Sequence, residues 1–346
     1  SLEGVLRVFA PRRAEFAPSH LLLEAQLGAP VLQLAVGRLR DVASSGGAIS
    51  LAVLHPRVLA VYDLAPNGSG DGISLMRVHE HRLGAGGASF TASSMVVGPF
   101  GHAELAERSR SGAEAYLTSP QDHVCVQSMD GQLAFYLRGA LAFVKKLPNV
   151  LLPGPLAYCT AADSFFTCNS GATFECFRFA DIGAASDAGA RGAAGLGAAA
   201  AGAVAQRALQ PAWRCVLGER ARSITEVHLA AGHARRGERA EGAVAAAQTL
   251  MLVVGERALF GFDARLGTLV LHKRLGFEPV AACVYRRSAA MEPADSNLLV
   301  ASAEGSLSVF HSVQLEWCVL SFFPLALRSC PSRARARAIA PRTRKD

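Results

Sequence analysis

Gly131-Gln132-Leu133-Ala134-Phe135-Tyr136 decides the fold of this chain, because a phrase of this form occurs six times. In each copy a small turn precedes alternating apolar residues, and the last residue is aromatic. A repeated phrase predicts a repeat architecture and is typical of scaffold rather than of a catalytic site. The other copies are Gly4–Phe9, Arg57–Tyr62, Ala172–Phe177, Arg257–Phe262 and Gly305–Phe310.

A second short strand follows each copy and ends in leucine, usually with Gly or Pro next. The shortest gaps between the two leucines of a unit are 13 to 16 residues, and the shortest gaps to the next unit are 27 to 32. Together they give about 40–48 residues, the length of one β-propeller blade. These second strands lie in Leu23–Gly28, Val78–Gly84, Phe143–Pro148, Trp213–Gly218, Leu271–Gly276 and Glu316–Ser321.

The local pattern is all-β. Asp130-Gly131 and Glu304-Gly305 each sit between two apolar runs, where glycine supplies the positive φ of a tight hairpin turn. Other short apolar runs are bounded by Gly, Pro, Asp and Ser, as strands are. They are Val31–Val36, Ile49–Leu54, Val124–Val126 and Leu298–Ala301.

We therefore predict an all-β fold with one β-propeller over residues 1–320 and a basic, disordered tail over residues 321–346. One propeller can occupy a chain of 346 residues. An Ala/Gly-rich, low-complexity insertion at about 180–209 is predicted to form a loop between two strands of one blade. Residues 102–115 and 232–247 are predicted to be further surface loops.

The net charge of +7 does not indicate nucleic-acid binding. Residues 328–346 hold seven basic residues and one acidic residue, so +6 of the total belongs to this tail and +1 to the rest of the chain. The body thus has no basic face evident from sequence. A polybasic tail could bind RNA, anionic lipid or an acidic partner, but a solvated tail is the simpler interpretation.

The eight cysteines are scattered and form no CxxC pair, so structural zinc is not expected. Most lie in apolar strands, where a free cysteine packs as a small hydrophobic residue, and we predict a reduced, intracellular protein. No run of 18 apolar residues indicates a membrane span. No signal peptide is visible, and residue 1 falls inside a strand phrase, so we expect the chain to be a fragment.

Three sequence features could indicate a chemical site, but each also has a structural interpretation, which we prefer. His79 and His81 lie two apart on a strand and could hold a metal, but no third ligand is near them in the sequence. Gly195 to Gly202 lacks the strand and the Lys-Ser/Thr ending of a phosphate loop. Four aspartates lie at turns beside strands, where local backbone hydrogen bonds are more common than chemistry. They are Asp122, Asp130, Asp163 and Asp263. We predict no catalytic, cofactor-binding or metal-binding residue.

Several stretches resemble one known family. The most specific runs from Val150 to Tyr158 and on through Ala162–Phe165. Others are His20–Leu27 with Pro30–Gln33, Cys125–Gly131, Leu252–Arg257, and Leu266 with Lys273–Leu275. In order from residue 1 to about 320, the chain is similar to the family of the ninth Bardet–Biedl syndrome protein, also called the parathyroid-hormone-responsive protein B-one family.

The resemblance implies a non-catalytic subunit of the BBSome, a coat-like complex that carries membrane proteins into and out of cilia. It implies a seven-bladed propeller and, as partners, other BBSome subunits, with membrane-protein cargo and the membrane surface reached through the complex. Nucleic acid, a small-molecule substrate and a cofactor are not expected. The implied localisation is the cilium, the ciliary base and the cytoplasm, with peripheral membrane association through the complex.

A rival interpretation is enzymatic. Leu259–Gly267, followed by a leucine-ending strand, resembles the blade repeat of quinone-dependent dehydrogenases, in which each docking motif carries a tryptophan. Here only Trp213 and Trp317 occupy comparable places. Absorbance of a quinone bound to the purified protein would support this alternative.

The family's chain begins earlier and continues with further propeller strand, so we expect the first and last blades to be partial. Only the final strand of the first blade, around Gly4–Phe9, is expected here. A truncated chain, an alternative transcript or a misread exon would produce the basic end.

We predict that a ring of about five complete and two broken blades does not close, and that its open sheet edges promote self-association. Light scattering after size-exclusion chromatography should show oligomers. A monomer that unfolds cooperatively would contradict this hypothesis.

Overall fold

The computed structural model describes residues 2–10, 17–40, 49–66, 73–84, 90–101, 121–183, 209–229, 248–286, 296–311 and 318–324. Within these ranges the chain forms β-strands almost throughout. A 3-10 turn at Pro18–His20 and residues 179–183 supply the helical residues. The all-β prediction is confirmed.

The strands, in chain order, are β1 (Val5–Phe9), β2 (Leu21–Gln26), β3 (Gln33–Gly37), β4 (Ser50–Leu54), β5 (Val58–Pro66), β6 (Ile73–Arg82), β7 (Ala92–Gly98), β8 (His123–Ser128), β9 (Gln132–Leu137), β10 (Ala140–Lys146), β11 (Leu156–Cys159), β12 (Ser164–Cys168), β13 (Thr173–Arg178), β14 (Trp213–Val216), β15 (Ser223–Leu229), β16 (Gln248–Val254), β17 (Ala258–Asp263), β18 (Leu269–Arg274), β19 (Pro279–Arg286), β20 (Ser296–Ser302), β21 (Ser306–His311) and β22 (Cys318–Pro324).

These strands form antiparallel sheets, each built from consecutive strands. Sheet 1 is the pair β1–β2, and sheets 2 to 6 are the four-stranded units β3–β6, β7–β10, β11–β14, β15–β18 and β19–β22. The first strands of consecutive sheets lie side by side, as the inner strands of propeller blades do. The described residues thus hold a five-bladed, propeller-like arrangement plus the two-stranded sheet 1. The seven-bladed ring stays a prediction.

Both ends of the arrangement differ in detail from the sequence prediction. Sheet 1 retains two strands, β1 and β2, where only the strand around Gly4–Phe9 was expected. At the other end, β22 runs to Pro324 and gives sheet 6 four strands, so the predicted boundary at residue 320 lies inside β22.

The repeated phrase forms the third strand of each four-stranded sheet and β1 of sheet 1. Its side chains alternate between the two faces of the sheet, as in any strand. In sheet 3, Leu133 and Phe135 pack towards sheet 4, whereas Ala134 and Tyr136 pack towards sheet 2. Sheets 2, 4 and 5 follow the same rule. The third and fifth residues of the phrase therefore face the following sheet, and the fourth and sixth face the preceding one.

The aromatic end of the phrase coincides with a break in strand pairing. The phrase strand pairs with the strand after it in all six sheets, and five of these six pairs shift register between the fifth and sixth phrase positions, as between Val61 and Tyr62. The sixth pair, β13–β14, keeps one register over its whole length. The aromatic side chains are buried, except Phe9, which is 39% exposed. The five buried aromatic side chains therefore belong to the packing between sheets.

The leucine predicted to end the second strand of the repeat closes five of the six units. Its backbone N–H donates to the carbonyl of the first phrase residue, at 2.9 Å for Leu147 to Gly131, and unsatisfied backbone donors are costly when buried. The same bond joins Leu27 to Gly4, Leu83 to Arg57, Leu217 to Ala172 and Leu275 to Arg257. The sixth assignment was wrong: Ser306 pairs with Pro324, and Leu320 falls at the register shift within β22.

The hydrophobic core lies between adjacent sheets rather than at one centre. Between sheets 3 and 4, Phe100 is 1% exposed and contacts Tyr158 and Phe165 edge-on, with ring centroids 4.6 and 4.8 Å away. Such aromatic contacts add to the stabilisation from burial alone. Between sheets 4 and 5, Trp213 of β14 packs against Phe174 and Phe262.

Substitution of Gly267 by alanine would test the contact between sheets 4 and 5. Its φ is +71°, and a Cβ there would lie 2.5 Å from Cδ2 of Trp213. Gly218 has a similar φ of +77° and open space around it, so it is a matched control. Both alanine variants carry the left-handed backbone strain, but only Gly267→Ala also overpacks, which costs about 1–3 kcal/mol. Urea unfolding should show a larger loss for Gly267→Ala. Equal losses would contradict this packing.

Candidate interaction surface

One end of the propeller-like arrangement is well described. It carries the turns between the second and third strands of each four-stranded sheet, such as β4–β5, and the connectors between successive sheets. We call it the connector face. Its turns are 55–57, 129–131, 169–172, 255–257 and 303–305. Of the loops predicted from the sequence, residues 102–115 lie outside the described residues, as does 180–209 apart from its two ends.

The inner part of sheet 2 exposes an apolar stripe on its face towards sheet 1. Strand alternation puts Leu34 and Val36 of β3 on this face, together with the buried Leu51 and Val53 of β4. Sheet 1 covers the outer part of the face through Leu6. The inner residues stay exposed, and these are Leu32 at 43%, Leu34 at 46%, Val36 at 66% and Ile49 at 62%.

Sheet 1 lies beside this stripe, and among the described residues β1 pairs with β2 alone. The stripe was not predicted from the sequence, because it depends on how much of sheet 2 is covered by sheet 1.

The connector face carries a second apolar feature. Leu151 and Leu152, in the connector between sheets 3 and 4, are 84% and 57% exposed. Their backbone N–H groups both donate to Oγ of Ser170, at 2.9 and 3.1 Å. The hydroxyl therefore holds two exposed leucines in place over the β12–β13 turn, as preorganised contact residues require.

A cleft of about 400 Å³ adjoins these leucines. Asn149 of the connector, Asn169 and Gly171 of the β12–β13 turn, and Glu175 and Arg214 of the adjacent strands line it. Glu175 is 3% exposed, and burial raises the pKa of its carboxyl group. Glu175 is the fourth residue of its phrase, and the other copies that bury this position have an apolar or small residue there. This difference could have indicated the cleft from the sequence.

The two histidines of β6 pack against sheet 3. The ring of His81 lies 4.7 Å from that of Tyr136, and the rings of His79 and His81 are stacked 6.1 Å apart. The described residues contain no group of three or more His, Cys, Asp or Glu that could hold a metal. The contacts support the structural interpretation of this pair.

The four aspartates all accept hydrogen bonds, but only some of these bonds are local. Asp122 accepts from the backbone N–H of Arg38, 84 residues away in the chain. Asp163 accepts from the Tyr158 hydroxyl at 2.6 Å and from the backbone N–H of Gly101, 62 residues away. Asp263 accepts from the N–H groups of the turn that follows it. Hydrogen bonds from Ser128 and Gln132 lower the pKa of Asp130. Local backbone hydrogen bonds, as predicted, are seen at Asp263, whereas Asp130 bonds nearby side chains and Asp122 and Asp163 also bond residues of other segments. The Gly195–Gly202 stretch lies outside the described residues.

The cysteines behave as small core residues. Cys125, Cys159, Cys168 and Cys176 are buried and unpaired. Burial raises the pKa of the Cys176 thiol to about 11, which keeps it protonated and unreactive near neutral pH. No helix among the described residues is long and apolar enough to cross a membrane.

Of the two tryptophans behind the enzymatic alternative, Trp213 lies between sheets 4 and 5, against Phe174, Phe262 and Gly267. Trp317 lies outside the described residues. Packing between sheets accounts for the position of Trp213.

The chain matches the family described as PTHB1 N-terminal over residues 1–339. It is 31% identical to protein PTHB1 of Xenopus laevis and 29% identical to protein PTHB1 of Homo sapiens, over 95% of this chain in both cases. The matches cover 34% and 33% of those relatives, so the chain spans about a third of their length.

Two solved structures share the fold. The BBS1N chain of a complex with ARL6DN, soaked with lead, is 12% identical with a TM-score of 0.51, over 86% of this chain and 72% of that one. Sqt1 of Saccharomyces cerevisiae is 9% identical with a TM-score of 0.50, over 90% and 67%. At these identities the likeness concerns the fold alone.

The histidine pair predicts a pH dependence of stability. Burial, and then the charge of His79, lower the pKa of His81 in the folded chain. As the pH falls from about 7 towards 5, the unfolded chain binds a proton at His81 before the folded chain does, so stability falls. His81→Gln should make the unfolding midpoint depend less on pH over this interval. Equal pH dependence of wild type and His81→Gln would contradict the assignment.

Proposed function

Because this chain belongs to the PTHB1 family, we propose that it is a non-catalytic interaction scaffold within a BBSome-type complex. The proposal gives no residue a catalytic role. Rigid sheets supply surfaces on which a few buried anchor residues of partner proteins make most of the binding energy.

One observation carries the proposal: Leu151 and Leu152 are 84% and 57% exposed on the connector face, where the Ser170 hydroxyl accepts hydrogen bonds from both of their backbone N–H groups. Because these two leucines are already held in place, they lose little conformational freedom when another subunit covers them, so they suit a protein contact.

The fold neighbour supports protein partners. The BBS1N structure is that of a complex with ARL6DN, so a propeller of this type can bind another folded protein. For this chain we propose other BBSome subunits as direct partners. Membrane-protein cargo and the membrane surface are reached through the assembled complex. The proposed location is the cilium, the ciliary base and the cytoplasm, and the proposed role is transport of membrane proteins to and from the cilium.

The proposal predicts that the full-length protein co-purifies with BBSome subunits and reaches cilia, and that deleting the segment equivalent to this chain reduces both. Tagged intact and deleted proteins would be expressed at equal levels, affinity-purified and blotted for BBSome subunits, and ciliary fluorescence would be scored. If the intact protein neither joins the complex nor reaches cilia, the proposal is wrong. Undiminished recovery of subunits by the deleted protein would exclude a scaffold role for this segment.

A further inference from the structure

The cleft between sheets 3 and 4 holds a carboxylate where the repeat calls for an apolar or small residue. Glu175 is the fourth residue of its phrase, the position that faces the preceding sheet. At this position sheets 2, 3, 5 and 6 have Ala60, Ala134, Phe260 and Ser308, all buried. Packing alone therefore does not require an acid here, and Glu175 is buried to 3% exposure like the others.

The surroundings of Glu175 leave its charge only partly compensated. The side-chain amide of Asn169 donates to it, since Oδ1 of Asn169 accepts from the N–H groups of Gly171 and Thr173, at 2.9 and 3.2 Å, and so orients the amide. Arg214 is directly opposite Glu175 in the β13–β14 register. None of the salt bridges among the described residues includes Glu175, so no Lys, Arg or His nitrogen there lies within 4 Å of its carboxylate.

The energetic consequence favours a cationic ligand. Burial raises the pKa of Glu175, while the Asn169 hydrogen bond and the charge of Arg214 oppose this shift. Arg214 is exposed, so water screens its charge, whereas Glu175 is buried to 3% exposure. A cation in contact with the Glu175 carboxylate would therefore gain more from Glu175 than it loses to Arg214.

The cleft has the size and the rim of a peptide-binding site. Its volume of about 400 Å³ lies in the range of ligand pockets, at the small end. Val216 lines it and is 73% exposed, and Leu151 and Leu152 adjoin it on the same face, held by Ser170. A polar floor with apolar residues around it suits a basic side chain flanked by apolar ones.

We propose that this cleft binds an extended segment of a partner protein, whose lysine or arginine side chain enters it and pairs with Glu175 while neighbouring apolar residues contact Leu151, Leu152 and Val216. The inference deepens the proposed function by assigning one contact site of the scaffold. Its tests use the purified chain with small probes, so that their failure is distinguishable from failure to join the complex.

The first test uses the side-chain analogue n-butylguanidinium and its neutral counterpart pentanamide. The methyl groups of Thr173 and Val216 line the cleft and report binding by NMR on methyl-labelled protein. We expect saturable shifts of both methyl signals with the cation and not with the amide. Glu175→Gln, which keeps an acceptor for Asn169, should weaken cation binding by about tenfold or more, since a charged hydrogen bond is lost. Glu304→Gln, at an exposed acid on the same face, should not.

Two further arms keep the test decisive if Glu175→Gln does not fold. Arg214→Gln removes the rim cation and should strengthen n-butylguanidinium binding, which a purely structural role of Glu175 does not predict. In wild type, acidification should weaken binding as Glu175 becomes protonated. Absence of saturable shifts, or unchanged affinity in Glu175→Gln, would overturn the proposal.

A displayed library of random peptides tests the class of partner. Peptides selected on the wild-type chain and counter-selected on Glu175→Gln or, failing its folding, on a Leu151→Ser/Leu152→Ser variant should share a Lys or Arg next to apolar residues. Peptides without a shared basic residue would contradict the assignment.

Discussion

Each inner sheet of this structure has to bury both of its faces against neighbouring sheets, and this constraint shapes the whole molecule. A strand whose two faces are both buried reads as a continuous apolar run rather than as an alternation of apolar and polar residues. The third strands follow this rule: Leu133 and Phe135 pack towards one neighbour, and Ala134 and Tyr136 towards the other. The repeated phrase is therefore the sequence pattern of a strand that is buried on both faces. It recurs because each inner sheet packs against the sheet before it and the sheet after it.

The same constraint explains which parts of the fold could be predicted. The phrase and the leucine are local patterns, and each corresponds to a local event: a third strand, and the N–H that closes the unit onto the preceding turn, as Leu147 does onto Gly131. The sixth unit was misassigned at Leu320, because β22 continues to Pro324 before it reaches the residue opposite Ser306, at the start of the third strand. The register shift in β22 is not the reason, since the same shift occurs in units whose leucine was assigned correctly.

The surface features could be predicted only in part. The turn aspartates and the histidine pair were assigned structural roles, since hydrogen bonds within a turn follow from near neighbours in the chain. The stripe at Leu34 and Val36 depends on how far sheet 1 extends over sheet 2, and the cleft at Glu175 depends on a connector some 25 residues upstream. Neither arrangement is visible in a local window, although an acid at a buried phrase position is an anomaly that alignment of the copies can reveal.

Polar groups at doubly buried positions have an energetic cost that the fold itself does not require. Oγ of Ser308, at the same phrase position in sheet 6, has no hydrogen-bond partner among the described residues, but a hydroxyl is small and uncharged. The carboxylate of Glu175 costs more to bury, because ionisation in a poorly solvated site is unfavourable. Alanine at Ala60 and Ala134 shows that the architecture accepts a residue without this cost. Packing does not offset the free energy of burying this carboxylate. A complex can offset it, because a cation of the partner would replace the water that the carboxylate has lost. The position at which the repeat is broken is therefore a stronger guide to binding than the positions at which it is kept.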